Sequence, residues 1–495
     1  MSSSIFQFLF VLWLALSIII GIIATRRTKE LEDYLVAGRN IGPFLYGISM
    51  IATALTPAVF VGFAGQLYAF GNSIVYWMLL PLGIAFSLSL CVFAPKIRRF
   101  GKFTVPDYLA SRYDSNVVRV IAAIIIVIFG ILYAVQITMG TAVIVSTLFG
   151  WSWALSCIVV TAVCFVFTYL SGLVGIIWNS VQFTLVFVLG TLAVAPFVLS
   201  KAGSLSTIAT NIEANFPGFF SLFGHNPLAV TLPVALSWAL IMLTGNSIFN
   251  PAALSRHYVV RSEKVPVRAS LIAGLAMVAV YIPCFLTFYG GISLYPTLKD
   301  PESLYIVLSM KDAPVWAGSI ALFGVVASGL STIGVDYMLT STSLVNDIYV
   351  NIFHRDAPKN KQLTLTRVGI IIAAVIALLI SIPRPTMVIQ MLLIAASFSL
   401  VFAAPITLGI WWKRATKEGA IIGMIAGLIG IVITQVWKML TPKTFNHWFE
   451  PAIVGFVLSV GLFVIVSLLT KPTPKQIEVY EQLRTKSREE LKTER

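Results

Sequence analysis

Three hydroxyl side chains in one apolar segment are spaced so that together they could bind a small, hard cation. Ser328, Ser331 and Thr332 occupy positions i, i+3 and i+4 of the segment 321–349, so they share one face if the segment is helical. Hydroxyl and carbonyl oxygens are the ligands that hard cations take from proteins. Small residues at this spacing also permit close packing between membrane helices. The spacing alone leaves both interpretations open.

Asp336 follows Thr332 by four residues and therefore faces the same way. A charged side chain inside a membrane span costs about 2.5–3.5 kcal/mol on insertion scales, and such residues usually mark ion or proton paths. We expect no Lys or Arg in the bilayer core to pair with it, which makes Asp336 a candidate to bind a cation or carry a proton. The alternative is a position near the cytoplasmic mouth, where water solvates the carboxylate.

The composition requires these residues to lie in a membrane domain. Of the 495 residues 58% are hydrophobic and 11% are charged, and the mean hydropathy is +0.92. A soluble domain carries about 25% charged residues. Because a helix needs about 20 apolar residues to cross the hydrocarbon core, the sequence predicts an all-α integral membrane protein with about thirteen transmembrane helices. The predicted spans are 5–25, 43–70, 75–95, 117–147, 152–171, 175–200, 229–250, 268–293, 315–345, 366–382, 386–411, 419–438 and 450–470.

The positive charges predict the orientation of these spans. With the N-terminus outside, 28 of the 34 Lys and Arg residues fall in inner segments and 6 in outer ones. Positive residues accumulate on the cytoplasmic side of membrane proteins. The sequence therefore predicts a multi-pass protein of the cell membrane, with a transmembrane domain over 1–470 and a charged cytoplasmic tail over 471–495.

Two predicted spans contain helix breaks five spans apart. Pro57 lacks an amide donor and frees the carbonyl of Thr53 four residues earlier, and the seventh span is interrupted at Gly245 and Pro251. Free carbonyls at membrane depth are tolerated where they line a cavity. The layout is typical of a transporter core of five-plus-five inverted repeats, here over about 43–200 and 229–411.

Other functional classes lack support in the sequence. No GxxxxGK[ST] motif is present, the longest outer loops, 201–228 and 294–314, hold no motif, and the four cysteines and four histidines are scattered. We therefore expect no enzyme activity, no organic cofactor and no nucleic-acid partner. A transporter-like sensor is a further alternative, against which the short tail argues.

Four stretches of the chain resemble the sodium:solute symporter family. They are Glu32–Phe44, Ser49–Gly71, Gly329–Tyr349, which ends in an Asp-Ile-Tyr motif, and Trp411–Gly427. The resemblance implies the leucine-transporter-type fold and Na⁺-coupled symport of a small organic solute, such as a carboxylate, amino acid, vitamin or sugar, by alternating access. A proton-coupled carrier that uses Asp336 is the alternative.

The resemblance also implies a sodium site between spans 2 and 9. Its ligands would be the carbonyl oxygens of Ala52, Leu55 and Ser328 and the hydroxyls of Ser331 and Thr332. The intact hydroxyl pair favours Na⁺ as the coupling ion.

The chain departs from the family pattern at two positions. Many members carry a polar or acidic residue where this chain has Ala54, and many carry an Asp in the sixth span where this chain has Ser180. A second cation site or proton path through those acids would be absent. We hypothesise that Asp336 supplies the missing charge.

The implied fold predicts a solute site at the midplane between the two breaks. The candidate residues are Thr53, Thr56, Gln136, Trp238, Asn246, Asn250 and Ser397. None of them is charged, so a carboxylate solute would need helix N-termini, amides or a bound Na⁺ as its countercharge. A neutral or zwitterionic solute is equally compatible, and the oligomeric state is left open.

Overall fold

The computed structural model describes residues 41–99, 104–354, 358–442 and 445–482, together with 7, 8, 11, 12, 15 and 19. Within these residues, the side chains of 99, 167, 170–181 and 359 are not described. Most of the predicted first span, most of the Glu32–Phe44 stretch and the tail from 483 onward therefore lie outside the described residues, as does the side chain of Ser180.

The described chain is built from helices. The first half contains α1 (Pro43–Ala54), α2 (Ala58–Phe70), α3 (Val75–Arg98), α4 (Val105–Tyr113), α5 (Asn116–Phe149), α6 (Trp153–Ala202) and α7 (Leu205–Asn215). The second half contains α8 (Leu232–Leu240, continued by Ile241–Ile248), α9 (Pro251–Arg256), α10 (Lys264–Leu294), α11 (Leu304–Lys311), α12 (Val315–Phe353), α13 (Lys359–Ser381), α14 (Val388–Trp411), α15 (Lys417–Leu440) and α16 (Pro451–Leu469).

The predicted all-α membrane fold is confirmed, whereas the number of spans is not fully tested. Within the described residues, ten helices are long and apolar enough to cross a membrane, or eleven if the bent pair α1 and α2 counts as one span. The shorter apolar segment Trp153–Val166 corresponds to the predicted fifth span. Because the predicted first span falls largely outside the described residues, the total of thirteen remains a prediction.

The long helix α6 covers the predicted fifth and sixth spans. A straight helix of its 50 residues would measure about 75 Å, against about 30 Å for the hydrocarbon core. Near its start, the indole of Trp153 donates to the carbonyl oxygen of Ser381, and near its end Lys201 pairs with Asp312 at 3.1 Å. Ser381 ends α13 and Asp312 follows α11, and the predicted topology places both on the same side of the membrane. Two crossings by this segment remain a prediction.

Contacts on the opposite face join the segments that the charge pattern assigns to the cytoplasm. The Arg112 side chain donates to the carbonyl oxygen of Gly409 at 2.6 Å, and the Thr104 hydroxyl donates to Asp347 at 3.0 Å. Each of these contacts thus joins two segments that the predicted alternation places on the same side. Which side faces the cytoplasm remains a prediction from the positive charges.

Helix α12 lies at the centre of the bundle. In its most apolar window 94% of the residues are buried, against 28% for α16. Glycines allow α6 to approach it closely: a Cβ added at Gly190 would lie 2.8 Å from the backbone nitrogen of Ala321, and one at Gly324 would lie 2.6 Å from Cα of Phe187. Such small-residue contacts are how membrane helices pack backbone to backbone. The core thus holds α12, with its hydroxyl-rich face, away from lipid.

Candidate functional site

The break between α1 and α2 leaves backbone oxygens free in the middle of the molecule. The two helices bend by 41° across residues 55–57. Leu55 leaves the helical conformation with φ −86° and ψ 85°. Pro57 has no amide hydrogen to donate to the Thr53 carbonyl. Since the last carbonyls of a helix lack intrahelical partners, this position offers oxygen ligands inside the bundle.

Helix α12 brings its hydroxyls to these carbonyls. The Thr332 hydroxyl lies 3.3 Å from the carbonyl oxygen of Ala52 and 3.0 Å from that of Ser328, and the Ser331 hydroxyl lies 3.0 Å from the Ser328 carbonyl oxygen. All four residues are buried. These contacts are hydrogen bonds, two of them within α12, and the third brings the Thr332 hydroxyl to the Ala52 carbonyl oxygen. A sodium site on these oxygens remains a prediction.

Ala54, one of the two positions that depart from the family pattern, is bonded to α10 and not to α12. The Tyr281 hydroxyl of α10 donates to the carbonyl oxygen of Ala54 at 3.2 Å. This bond uses one of the freed carbonyls, so the broken helix is fixed to α10 as well as to α12. Leu55, the remaining predicted ligand, is 1% exposed at the same break.

A small cavity lies beside the break. Its volume is about 10 Å³, room for about one water molecule. No charged side chain lines it. The lining residues are Ala54, Thr56, Ala58, Val59, Phe63, Leu82, Tyr133, Met242, Asn246, Tyr281, Ile389 and Leu392. The cavity is too small for an organic solute, so solute binding requires these helices to move apart.

Two of the predicted solute residues line the cavity. Thr56 lies at the break, and Asn246 accepts a hydrogen bond of 3.1 Å from the hydroxyl of Tyr133 across the cavity wall. Gln136 lies one helical turn from Tyr133, and its amide has no hydrogen-bond partner among the described residues. It is fully buried, so its amide is available to a polar group that enters the bundle.

The remaining predicted solute residues do not line the cavity. The Thr53 hydroxyl donates to the Met50 carbonyl and the Ser397 hydroxyl to the Leu393 carbonyl, each within its own helix. The ring of Trp238 packs on Phe70, with the ring centroids 5.5 Å apart. A role for these three side chains in solute binding remains a prediction.

The second break separates α8 from α9. Asn250 accepts hydrogen bonds from the amides of Ala252 and Ala253, so its side chain caps α9, and Pro251 follows as the first helical residue. On the other side of the break, the Ser399 hydroxyl of α14 donates to the carbonyl oxygen of Gly245 at 2.5 Å. The seventh span is thus interrupted and tied to α14.

Asp336 is buried, and a second buried charged residue, Arg256, lies on a helix in contact with its own. Both carboxylate oxygens of Asp336 and all three guanidinium nitrogens of Arg256 lack hydrogen-bond partners among the described residues. The two residues are 0% and 1% exposed, and their helices α12 and α9 are in contact. The expectation that no basic side chain pairs with Asp336 stays a prediction, now with Arg256 as the basic residue to test. The Asp336 carboxylate is not solvated at a cytoplasmic mouth.

Sequence reasoning missed three of these residues. Tyr133 stands three positions before Gln136 and so shares its helical face, which was a usable signal. Arg256 follows the predicted seventh span directly, so the charge pattern places it in an inner loop. Nothing in the sequence indicates that Tyr281 contacts the helix break, since a single Tyr in an apolar helix is common at membrane interfaces.

Comparison of the sequence with known proteins finds one family and relatives that match it over nearly their full length. The model of the sodium:solute symporter family matches residues 34–427. The high-affinity proline transporter PutP of Bacillus subtilis (strain 168) is 27% identical over 92% of this chain and 96% of its own length. The sodium/proline symporter of Salmonella typhimurium (strain LT2) is 24% identical over 92% and 91%.

Solved structures support the fold. A substrate-bound, outward-open Na⁺-coupled sialic acid symporter aligns with 94% of this chain and 98% of its own, with a TM-score of 0.77 and 18% identity. Mhp1, a nucleobase-cation-symport-1 family transporter in a closed conformation, aligns with 92% and 100%, with a TM-score of 0.55 and 15% identity. At these identities the likeness concerns the fold alone.

Proposed function

Because the chain belongs to the sodium:solute symporter family, we propose that it is a secondary active transporter that couples the uptake of a small amino acid, proline first among the candidates, to the entry of Na⁺. The two broken helices and the central helix α12 would alternate access to a site at the midplane. The protein would lie in the cell membrane with its N-terminus outside and its tail in the cytoplasm, as the positive charges predict.

One observation carries the sodium proposal. The Thr332 hydroxyl of α12 and the Ala52 carbonyl of α1 lie 3.3 Å apart across the helix break. A cation bound between them would hold two helices of different repeats together, and its departure would release them. Ion binding would thereby control the position of the broken helix, which is what coupling requires.

The cavity supports a small zwitterion with an apolar body. Its walls are apolar except for Thr56, Tyr133, Asn246 and Tyr281, and no ionised side chain lines them. A carboxylate would lie near the start of α2, whose residues Ala58 and Val59 line the cavity, and a helix N-terminus favours negative charge. The relatives that are proline transporters also favour a small zwitterionic solute.

Uptake into proteoliposomes tests the proposal. Radiolabelled proline should accumulate when an inward Na⁺ gradient is imposed and should only equilibrate when K⁺ replaces Na⁺ on both sides. Unlabelled sialic acid, pantothenate, glucose and lactate, each in excess, test the other solute classes by competition. Proline uptake that is independent of Na⁺ would overturn the coupling, and strong competition by another solute would replace proline.

The second candidate is proton coupling through Asp336, which its burial without a hydrogen-bond partner among the described residues favours. Against it, the buried Arg256 lies on a helix in contact with that of Asp336, so a positive charge is already present in this part of the bundle. Uptake in Na⁺-free buffer under an imposed pH gradient separates the two mechanisms: accumulation there supports the proton, and its absence supports Na⁺ alone.

A further inference from the structure

A short helix that follows α16 begins with a reciprocal cap. The chain is helical over 474–482. The backbone amide of Gln476 donates to the hydroxyl of Thr473 at 3.3 Å, and the backbone amide of Thr473 donates to the side-chain oxygen of Gln476 at 3.2 Å. Pro474 occupies the first helical position, where its missing amide costs no bond. A Thr and a Gln three residues apart that cap each other fix where a helix starts, so the local sequence sets the start of this one.

The same Gln476 side chain ties this helix to α4. Its amide group donates to the carbonyl oxygen of Tyr113, the last residue of α4, at 2.7 Å. The Gln476 carbonyl oxygen in turn accepts a hydrogen bond of 3.3 Å from the guanidinium of Arg112. Gln476 is 1% exposed and Arg112 is 0% exposed. Since the last carbonyls of a helix have no intrahelical partners, one side chain here caps the start of its own helix and the end of another.

The end of α4 holds the end of α14. Arg112 donates to the carbonyl oxygen of Gly409 at 2.6 Å and to that of Trp412 at 3.4 Å. The hydroxyl of Tyr113 donates to the carbonyl oxygen of Pro405 at 2.7 Å. A positive charge at a helix C-terminus is favourable, because the carbonyls there carry partial negative charge. Arg112 therefore joins the end of α14 to the helix that Gln476 caps.

Tyr480 covers the Arg112 guanidinium from the side of the tail. Its ring centroid lies 5.5 Å from the guanidinium carbon, and its hydroxyl donates to the carbonyl oxygen of Trp411 at 3.3 Å. Tyr480 is 4% exposed. A cation over an aromatic face is stabilised most where water is excluded. The tail helix thus contacts α4 and α14 with two buried side chains one turn apart.

Two exposed ion pairs flank these buried contacts. Lys475 pairs with Asp114 at 2.7 Å, and Lys413 pairs with Glu481 at 2.6 Å. All four side chains are at least 42% exposed. Exposed ion pairs contribute little to stability because water and salt screen them. They therefore provide matched controls for the buried contacts of the same segment.

We propose that residues 473–482 form a strap that holds the ends of α4 and α14 together and so limits how far the bundle opens on the face that the charge pattern assigns to the cytoplasm. Helix α14 lines the central cavity with Ile389 and Leu392, and its Ser399 hydroxyl bonds to Gly245 at the second break. The last turn of this helix is held against α4 while the strap is in place. A role of the strap in transport rests on the proposed function, whereas the strap itself does not.

Chemical labelling tests the strap without any transport. Ile410 at the end of α14 is 5% exposed, so Ile410→Cys in a variant without the native cysteines places a reporter at this junction. A membrane-impermeant maleimide added to inside-out vesicles reports its accessibility. Gln476→Ala should raise the labelling rate about tenfold, because a buried hydrogen bond and a helix cap are lost.

Gln476→Glu separates the tie to α4 from the cap. A glutamate retains the acceptor for the Thr473 amide, but its carboxylate has no hydrogen to donate to the Tyr113 carbonyl. Labelling should therefore rise as in Gln476→Ala. A chain that ends at Pro472 has no strap and should be labelled faster still. Lys475→Gln removes only an exposed ion pair and should be labelled at the parent rate.

Thermal unfolding of each purified variant shows whether it is folded, and if the truncated chain does not fold, the two Gln476 variants decide. Parent-rate labelling in both Gln476→Ala and Gln476→Glu overturns the strap. An equal rise in Lys475→Gln also overturns it, because the effect would then be a general loosening. Since the readout requires neither Na⁺ nor solute, it stands even if Na⁺-driven proline uptake fails.

The kinetics of uptake connect the strap to transport. Easier opening toward the cytoplasm lowers the share of molecules that face outward, so the external Na⁺ concentration for half-maximal uptake should rise about threefold or more in Gln476→Glu. Lys475→Gln should keep the parent value. A lower maximal rate with an unchanged Na⁺ requirement would show a structural role alone and overturn this link.

Discussion

The Thr332 hydroxyl lies 3.3 Å from the Ala52 carbonyl oxygen, and the two residues belong to helices 280 positions apart in the chain. This contact joins the end of a broken helix to the most deeply buried helix of the bundle. Thr332→Ala should raise the Na⁺ concentration for half-maximal uptake by about tenfold or more, because an ion ligand is lost. Thr332→Ser keeps the hydroxyl and should stay near the parent value.

The control for this prediction is Thr434→Ala, which removes a buried hydroxyl that bonds only within α15. The measurement is initial uptake at varied external Na⁺, with Na⁺-dependent thermal stabilisation of the purified protein as a second readout. An unchanged Na⁺ requirement in Thr332→Ala would remove this residue from the ion site.

Asp336 and Arg256 carry opposite charges on two buried side chains whose helices are in contact, and we expect their effects on stability to be coupled. Asp336→Asn leaves the buried Arg256 guanidinium without this opposite charge and should lower the stability. The double variant Asp336→Asn/Arg256→Gln should recover most of that loss, as measured by thermal unfolding in detergent. Losses that simply add in the double variant would contradict the pairing.

The same variants test the hypothesis that Asp336 supplies the charge missing at Ala54 and Ser180. If the double variant folds, its cation dependence of uptake should differ from that of the parent. Identical dependence on Na⁺ and pH would remove Asp336 from the coupling mechanism and leave it a structural charge.

The contact between α6 and α12 predicts a sharp difference between two glycines. Gly190→Ala places a methyl group 2.8 Å from the Ala321 backbone nitrogen, and because a backbone cannot yield as a side chain can, unfolding stability should fall by about 1–3 kcal/mol. Gly83→Ala has no neighbouring atom within 4 Å and should be neutral or slightly stabilising, since Ala favours helix. Thermal unfolding compares them directly, and equal stabilities would contradict the packing.

The sequence predicted the parts of this molecule that depend on hydrophobic periodicity and on local backbone chemistry. The apolar runs predicted the membrane helices, and Pro57 predicted a carbonyl-rich break because a missing amide acts on the residue four positions earlier. The hydroxyl face at Ser331 and Thr332 followed from the helical repeat. Each of these inferences needs only neighbours in the chain.

The remaining features depend on contacts between distant segments. Nothing near Arg256 indicates that its side chain is buried on a helix in contact with that of Asp336. Glu302 stands in a loop without a motif, and its carboxylate accepts a hydrogen bond from the amide of Val388 at the start of α14, 86 positions later. Such pairings are set by how the helices pack, which the pattern within one helix does not contain.

The enclosure of α12 has a consequence for how the surrounding lipid can influence the protein. Nearly all of its most apolar window is shielded by protein, whereas most of the corresponding window of α16 is not. A change in bilayer thickness or composition therefore acts first on peripheral helices such as α16. Lipids should accordingly change how fast the molecule cycles, while the intrinsic preference of the central oxygens for one ion over another stays the same in every membrane.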